Sequence, residues 1–335
     1  MKIVKFFGVG VGVLIVAAFV LLLSVFKSIP VGPGATLVQP RWPGFGANVV
    51  VFEGSDRRVI VDSQLAPLAP ILRWHLGELR PEERIVLTHW HPDHSGGYVS
   101  LRGSGKVLAS EATVLRLSSD QTGKDLTEPG SLHNFKARPV DALPDVISSI
   151  PTTLGGVEIV AFSAAHTDQD LVVRFPAANV VALGDLVWPN SFPFVDLYTG
   201  GGVDGLIAAV EQTLAQGNSQ TRYIPGHGDV MTQAELQLYL DMLTESREAA
   251  RCANGDQRTL LKSLAHWQDW ASDLVPLTSW STMLSATSIS ENHTCDQGAS
   301  ISPPDQTSVQ FSETFELAIS AAQALITSSC RESRS

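Results

Sequence analysis

Four side chains able to bind a metal fall within six residues: His89, His91, Asp93 and His94, in the run Thr88-His89-Trp90-His91-Pro92-Asp93-His94-Ser95-Gly96-Gly97. Imidazole nitrogen and carboxylate oxygen suit zinc and other borderline divalent ions. A tetrahedral ion that keeps one position for water needs three protein ligands, so four so close together point to two ions. Three further groups extend the pattern. His166 stands in Ala165-His166-Thr167-Asp168, Asp185 in Ala182-Leu183-Gly184-Asp185, and His227 in Pro225-Gly226-His227-Gly228. Each follows a run that reads as a strand, and small residues beside each let the backbone turn sharply. A chance cluster of surface histidines would not recur at three more strand ends.

The elements that must carry these groups alternate. Residues 48–52 and 58–62 are β-branched runs split by Glu53-Gly54-Ser55-Asp56-Arg57, a hairpin pattern. A helical pattern over 65–79 leads into a buried strand at 85–88, which runs straight into the first histidines. Strands are expected near 106–109, 157–162, 171–175, 180–183 and 222–224, and helices near 111–117, 203–215 and 233–252. Early hairpins followed by strands separated by helices imply an α/β fold of two mixed sheets with outer helices, not a doubly wound parallel sheet. Proline and glycine between residues 28 and 46 read as a linker. Residues 119–150 are polar and irregular, the pattern of a flap over a site. The expected domain plan is residues 1–27 as anchor or signal, 28–46 as linker, 47–252 as the chemical domain, and 253–335 as a helical C-terminal extension. That extension would hold an amphipathic stretch at 260–270, a Ser/Thr-rich excursion at 278–312 and a last helix over 313–326.

Between Lys5 and Lys27 the chain is uncharged and largely apolar. A helix over 6–26 would be about 31 Å long, matching a bilayer core of about 30 Å. The run exceeds the usual signal-peptide core and lacks a good cleavage site, so an uncleaved anchor is favoured over a cleaved signal that would release a secreted protein. Lys2, Lys5 and the terminal amine place the start in the cytoplasm and export the rest, to a periplasmic or extracytoplasmic space. Cys252, Cys295 and Cys330 could then pair, for example as Cys295–Cys330 with one thiol left over. The net charge of -11 argues against a nucleic-acid surface. Oligomeric state is not readable.

Taken together, the His89/His91/Asp93/His94 signature, His166, Asp185 and His227, in this order, make the chain resemble the metallo-β-lactamase-fold hydrolase superfamily. The resemblance covers about residues 35–245. It implies a four-layer αβ/βα sandwich with the site along one edge of the two sheets. His89, His91 and His166 would hold the first metal, Asp93, His94 and His227 the second, and Asp185 would bridge them. Asp62 matches an early acidic position that supports the ligands, and Asp168 or Asp170 could do the same or serve only as turn carboxylates. Two zinc ions are implied, with iron or manganese as the other ions such a ligand set takes. An aspartate at the bridge resembles the glyoxalase II-like, lactonase, phosphodiesterase and alkylsulfatase-like branches, whereas β-lactamases of this fold generally carry cysteine or serine there. The implied activity is hydrolysis of a small ester, thioester, lactone or related molecule by a metal-bridging hydroxide, with Asp93 also catalytic as an orienting or proton-passing group.

Two readings compete on the same fold, a single-iron sulfur dioxygenase-type oxidoreductase using His89, His166 and Asp185, and a β-lactam hydrolase. A tethered binding protein with a structural metal is a third, although such relics lose ligands and none is missing here. Around the site, Trp188 and Tyr198 could line a substrate pocket, with Phe192 and Phe194. His75, His133, His266 and His293 are not expected to be ligands, and Ser95 has no spare base to make it a nucleophile. Substrate choice would rest with residues 119–150 and 188–204, where no motif of known chemical meaning stands.

Overall fold

A computed structural model describes residues 24–42, 46–77, 80–103, 105–120 and 138–287. Twelve strands form two sheets among them. The first has the order β1-β2-β3-β4-β5-β6-β7, and the second β12-β11-β10-β9-β8. Strands β1 (Phe26–Gly32), β2 (Ala35–Pro40), β3 (Val49–Glu53) and β4 (Arg58–Val61) pair antiparallel in sequence order. Parallel partners β5 (Arg84–Val86), β6 (Lys106–Ala109) and β7 (Asp145–Val146) then follow. In the second sheet β8 (Thr152–Leu154), β9 (Val157–Ser163), β10 (Gln169–Phe175) and β11 (Val180–Gly184) are antiparallel, and β12 (Arg222–Pro225) joins β11 in parallel. Mixed sheets of this kind are what the hairpin-then-helix order implied.

Side-chain alternation sorts each strand between two cores. In β3, Val50 and Phe52 point to the interface between the sheets while Val49 and Val51 point outward, and in β11 Val180 and Ala182 face inward while Val181 and Leu183 face out. Both faces of each sheet are therefore apolar, which is why these strands read as unbroken β-branched runs. Helix α1 (Ala69–Leu76) covers the first sheet through Ala69 and Leu72, together with the short turns α2 (Pro92–Ser95) and α3 (Tyr98–Leu101) and helix α4 (Glu111–Leu117). Helices α5 (Val203–Ala215) and α6 (Gln233–Ala253) cover the second. The layers are helix, sheet, sheet, helix.

Two expectations change. The expected linker at 28–46 is largely the hairpin β1–β2, at the edge of the first sheet. Pro30 is tolerated because β1 is an edge strand, and Gly34, at φ 68°, makes the turn. The expected extension at 253–335 does not stand apart over its described length. Helix α7 (Gln257–Ser263), a 3-10 segment at Ala265–Trp270 and α8 (Leu277–Ala286) bury Leu260, Leu264, Trp267, Trp270 and Trp280 in the same core as α5 and α6. Residues 278–286 are thus helical, not an irregular excursion. The expected last helix at 313–326 lies outside the described residues. Finally, among the described residues no helix is long and apolar enough to cross a membrane. Residues 6–23 of the expected span lie outside them, while Val25 is buried and Phe26 opens β1.

Candidate metal centre

The seven expected ligands all lie just beyond strands of the two sheets, on one edge. After β5 the chain stays extended through His89 and His91, and Pro92 then opens the turn α2, whose first bonds run from His94 and Ser95 N–H to the His91 carbonyl. Two clusters result. His89, His91, His166 and Asp185 form one, and Asp93, His94, Asp185 and His227 the other, with the ligand atoms of each within 4.8 Å of one another. Asp185 belongs to both.

Distances inside the clusters suit a small ion. His166 Nε2 lies 3.0 Å from His91 Nδ1 and 3.8 Å from Asp185 Oδ2. His94 Nε2 lies 3.0 Å from Asp185 Oδ1, and His227 Nε2 lies 3.0 Å from Asp93 Oδ2 and 3.5 Å from Asp185 Oδ2. Ligand atoms about 2.0–2.2 Å from a tetrahedral ion are roughly 3.3–3.6 Å apart. The buried His89 Nε2 has no hydrogen-bond partner, and His94 Nε2 and Asp185 Oδ1 meet each other at 3.0 Å. Buried polar atoms are normally satisfied, so an orphaned ring nitrogen aimed at three other ligand-type groups fits a divalent ion in the first cluster.

The opposite ring nitrogens are all engaged where a partner is resolved, which fixes which nitrogen each imidazole offers. His94 Nδ1 donates to Asp62 Oδ2 at 2.7 Å. Asp62 also accepts from the Thr88 N–H and hydroxyl, and the Thr88 oxygen lies 3.0 Å from His89 Nδ1. His166 Nδ1 donates to the Phe194 carbonyl at 2.8 Å. His91 is turned the other way, its Nε2 on Asp196 Oδ2 at 3.1 Å and its Nδ1 towards the cluster. Asp62 itself sits at φ 66°, strained backbone that places its carboxylate between two ligands.

Charge divides the clusters. Burial first, then neighbouring imidazoles, hold His89 well below the ordinary histidine range and His166 at about 4. Against a burial that alone would lower them, Asp185 and Asp93 raise His94 well above that range and His227 to about 9. Burial would raise Asp93 too, but His94 and His227 bring it to about 2. His89 and His166 are thus held neutral, whereas the second cluster is ion-paired and a metal must displace its protons.

Exposure differs likewise. His89, His91 and His166 are at most 1% exposed, whereas the side chains of Asp93 and His227 are 24% and 19% exposed. Solvent therefore reaches the second cluster first. Trp188 stacks on the His227 ring at 4.9 Å, and Phe194 borders His91 and His166 at 6.2 and 5.9 Å. Phe192 instead stacks on Trp280 in the core, and Tyr198 is half-exposed on the surface.

The remaining sequence candidates have structural partners. Asp168 pairs with Arg116, and Asp170 accepts from the Thr167 N–H and hydroxyl, so neither touches a ligand ring. Ser95 donates to the Trp90 carbonyl, His75 bonds Ser28, and His266 pairs with Glu245. His133 and His293 lie outside the described residues. Cys252 is disulfide-bonded, so it is not the leftover thiol of a Cys295–Cys330 pairing, and both of those residues lie outside the described set. Sequence reading missed Asp196 and Asn48. Asn48 Nδ2 donates to the Pro225 and Gly228 carbonyls and clamps the His227 turn. Asp196 carried one overlooked signal, a lone carboxylate in the apolar run Phe192-Pro193-Phe194-Val195-Asp196-Leu197.

The family model described as the Metallo-beta-lactamase superfamily matches residues 42–232. The chain belongs to that superfamily. Its homologues are metal-dependent hydrolases. Among curated relatives of this superfamily member, the Beta-lactamase-like protein 2 homolog of Drosophila melanogaster is 24% identical over 65% of this chain and 69% of its own length. The Metallo-beta-lactamase type 2 of Bacillus cereus is 25% identical over 59% of this chain and 73% of its own. A solved metallo-beta-lactamase from Pontibacter korlensis superposes with a TM-score of 0.51 at 19% identity, covering 65% of this chain and 99% of that one. A sec-alkylsulfatase from Pseudomonas sp. gives 0.51 at 18% identity, over 78% of this chain and 50% of its own. Those two solved structures establish the shared fold.

Proposed function

We propose that the chain is a zinc-dependent hydrolase with a dinuclear centre, acting on a small ester, thioester, lactone or related molecule. The observation that carries this reading is the pair of four-ligand clusters sharing Asp185. His89, His91 and His166 would hold one ion, Asp93, His94 and His227 the other, and Asp185 both. When bound, such ions polarise the scissile bond and lower the pKa of water from 15.7 towards about 7.

The chain's own groups do the rest. Asp93 is the more exposed of the two cluster carboxylates and is held ionised, so it is placed to orient an attacking water and pass its proton to the leaving group. Phe194 and the buried histidines keep bulk water from the first cluster, and substrate would approach over Asp93, His227 and Trp188. An acidic bridge at Asp185 supports the non-lactamase branches, while the Bacillus cereus relative keeps β-lactam hydrolysis as the second reading. A single-iron dioxygenase would need only His89, His166 and Asp185, and the complete Asp93, His94 and His227 set counts against it. Placement outside the cytoplasm, tethered by residues 6–26, belongs to this proposal; the Cys252 disulfide and the apolar N-terminal run support it.

The test is a hydrolysis screen of the zinc-loaded full chain against esters, thioesters, lactones, β-lactams and phosphodiesters. Turnover of an ester, thioester or lactone, lost on chelation and restored by zinc, is the expected result. Turnover of β-lactams alone would favour the second reading, and turnover unaffected by exhaustive chelation would overturn the proposal.

A further inference from the structure

Asp196 stands eleven residues beyond the shared ligand Asp185, on the loop that leads to α5, and is buried at 2% exposure. One carboxylate oxygen meets His91 Nε2 at 3.1 Å, and the other accepts the Thr199 N–H at 3.1 Å. Its own N–H donates to the His166 carbonyl at 2.8 Å. Two of the three histidines of the first cluster are therefore tied to this one residue. The loop is held from outside as well, since Arg116 of α4 bonds both the Thr199 carbonyl and Asp168.

Compare the second cluster. Its buried histidine, His94, also has a carboxylate behind it, but Asp62 sits at the end of β4 in the middle of the first sheet. Asp62 reaches the first cluster only through the Thr88 hydroxyl, at His89. The first cluster's direct carboxylate comes instead from a loop that also carries Trp188 and Phe194, against the rings of His227 and His91.

We infer that Asp196 is a positioning residue that turns His91 so that Nδ1 faces the first metal. The inference rests on the dinuclear reading above. A carboxylate behind a ligating imidazole fixes its tautomer and raises its basicity, and loss of such a partner typically costs 10–100-fold in metal affinity. With Asp196 gone, His91 would be free to present either nitrogen. His94 and His227 have no bond to Asp196, so the second site should be spared.

The experiment is zinc titration of the full chain by competition with a chromophoric chelator, alongside visible absorption spectra of the cobalt(II)-loaded protein. Wild type, Asp196→Ala, Asp196→Asn, Asp93→Ala and Arg116→Gln are compared. Asp196→Ala should weaken one of two equivalents by about 10–100-fold and alter the cobalt bands of that equivalent, with far-ultraviolet circular dichroism unchanged. Asp196→Asn, which keeps an acceptor for His91 but not the charge, should fall between, and it carries the test if the alanine variant does not fold. Asp93→Ala should weaken the other equivalent. Arg116→Gln loosens the loop anchor without touching His91, and should leave the cobalt bands as in wild type. If both Asp196 variants bind two equivalents with wild-type affinity and spectrum, or if Arg116→Gln reproduces the spectral change, the inference is overturned. If wild type itself binds no metal, it is the dinuclear reading that fails.

Discussion

Backbone space at a few residues sets how well the ligands can meet. A Cβ on Gly226 would lie 1.9 Å from Asp185 Oδ1 and 2.7 Å from His94 Cε1. Gly226→Ala should therefore displace the shared carboxylate and cut zinc affinity at least about tenfold while the fold persists, as read by metal titration and circular dichroism. Protonation gives a second expectation. His94 and His227 are raised in the metal-free protein, so the stability they contribute is full below the unfolded value near 6.5 and is lost as pH rises, for His227 through about 9. His89 and His166 are lowered, so theirs is full above 6.5 and is lost as pH falls, for His166 through about 4. The thermal midpoint of metal-free protein should fall on both sides of about pH 6.5, and stoichiometric zinc should remove the alkaline fall by replacing the protons. A flat midpoint from pH 6.5 to 9 without metal would contradict it. The seven ligand candidates were legible in sequence because four crowd into six residues after one strand and the other three each follow a strand beside glycine or alanine. Asp196 and Asn48 were not, because a residue that acts from behind a ligand needs only its place in space.

At the scale of elements, periodicity located α4, α5 and β6 to the residue and left the chain's margins unread. Pro30, Pro33 and the glycines around them look like a linker until β1 is seen on an open sheet edge, where proline costs no ladder bond. A truncation beginning after residue 30 would cut through β1, so the edge strand belongs to the domain. The C-terminal helices carried a legible signal, the spacing of Leu260, Leu264 and Trp267, but not their destination. Trp280 shows what they do. Its ring stacks on Phe192 at 5.7 Å, and its Nε1 donates to Ser246 of α6. Trp280→Ala should cost about 3–5 kcal/mol in chemical denaturation, the range for emptying a large buried aromatic site. Because Phe192 lies in the loop after Asp185, the same variant should also weaken zinc binding. A loss below about 1 kcal/mol would mean that the helix is only draped on the domain.

Across the described residues two sheets pack face to face with helices outside, and the candidate ligands gather where strands of both sheets end on one edge. That architecture was legible because hairpins, helices and ligands come in an order few folds share. Substrate preference was not, since it resides in loops whose side chains have no period and whose neighbours come from distant parts of the chain. If both clusters are filled as proposed, the pairing of a closed first cluster with a half-open second one means that the two ions should exchange at different rates. Chelation of the zinc-loaded protein should remove one equivalent faster than the other, and Asp93→Ala should speed only that phase; a single phase for both would contradict this. Most direct of all is anomalous diffraction at the zinc edge from crystals of the loaded protein. Two peaks are predicted, one among His89, His91 and His166 and one among Asp93, His94 and His227, with Asp185 between them. Peaks elsewhere, or none at full zinc loading, would contradict the account.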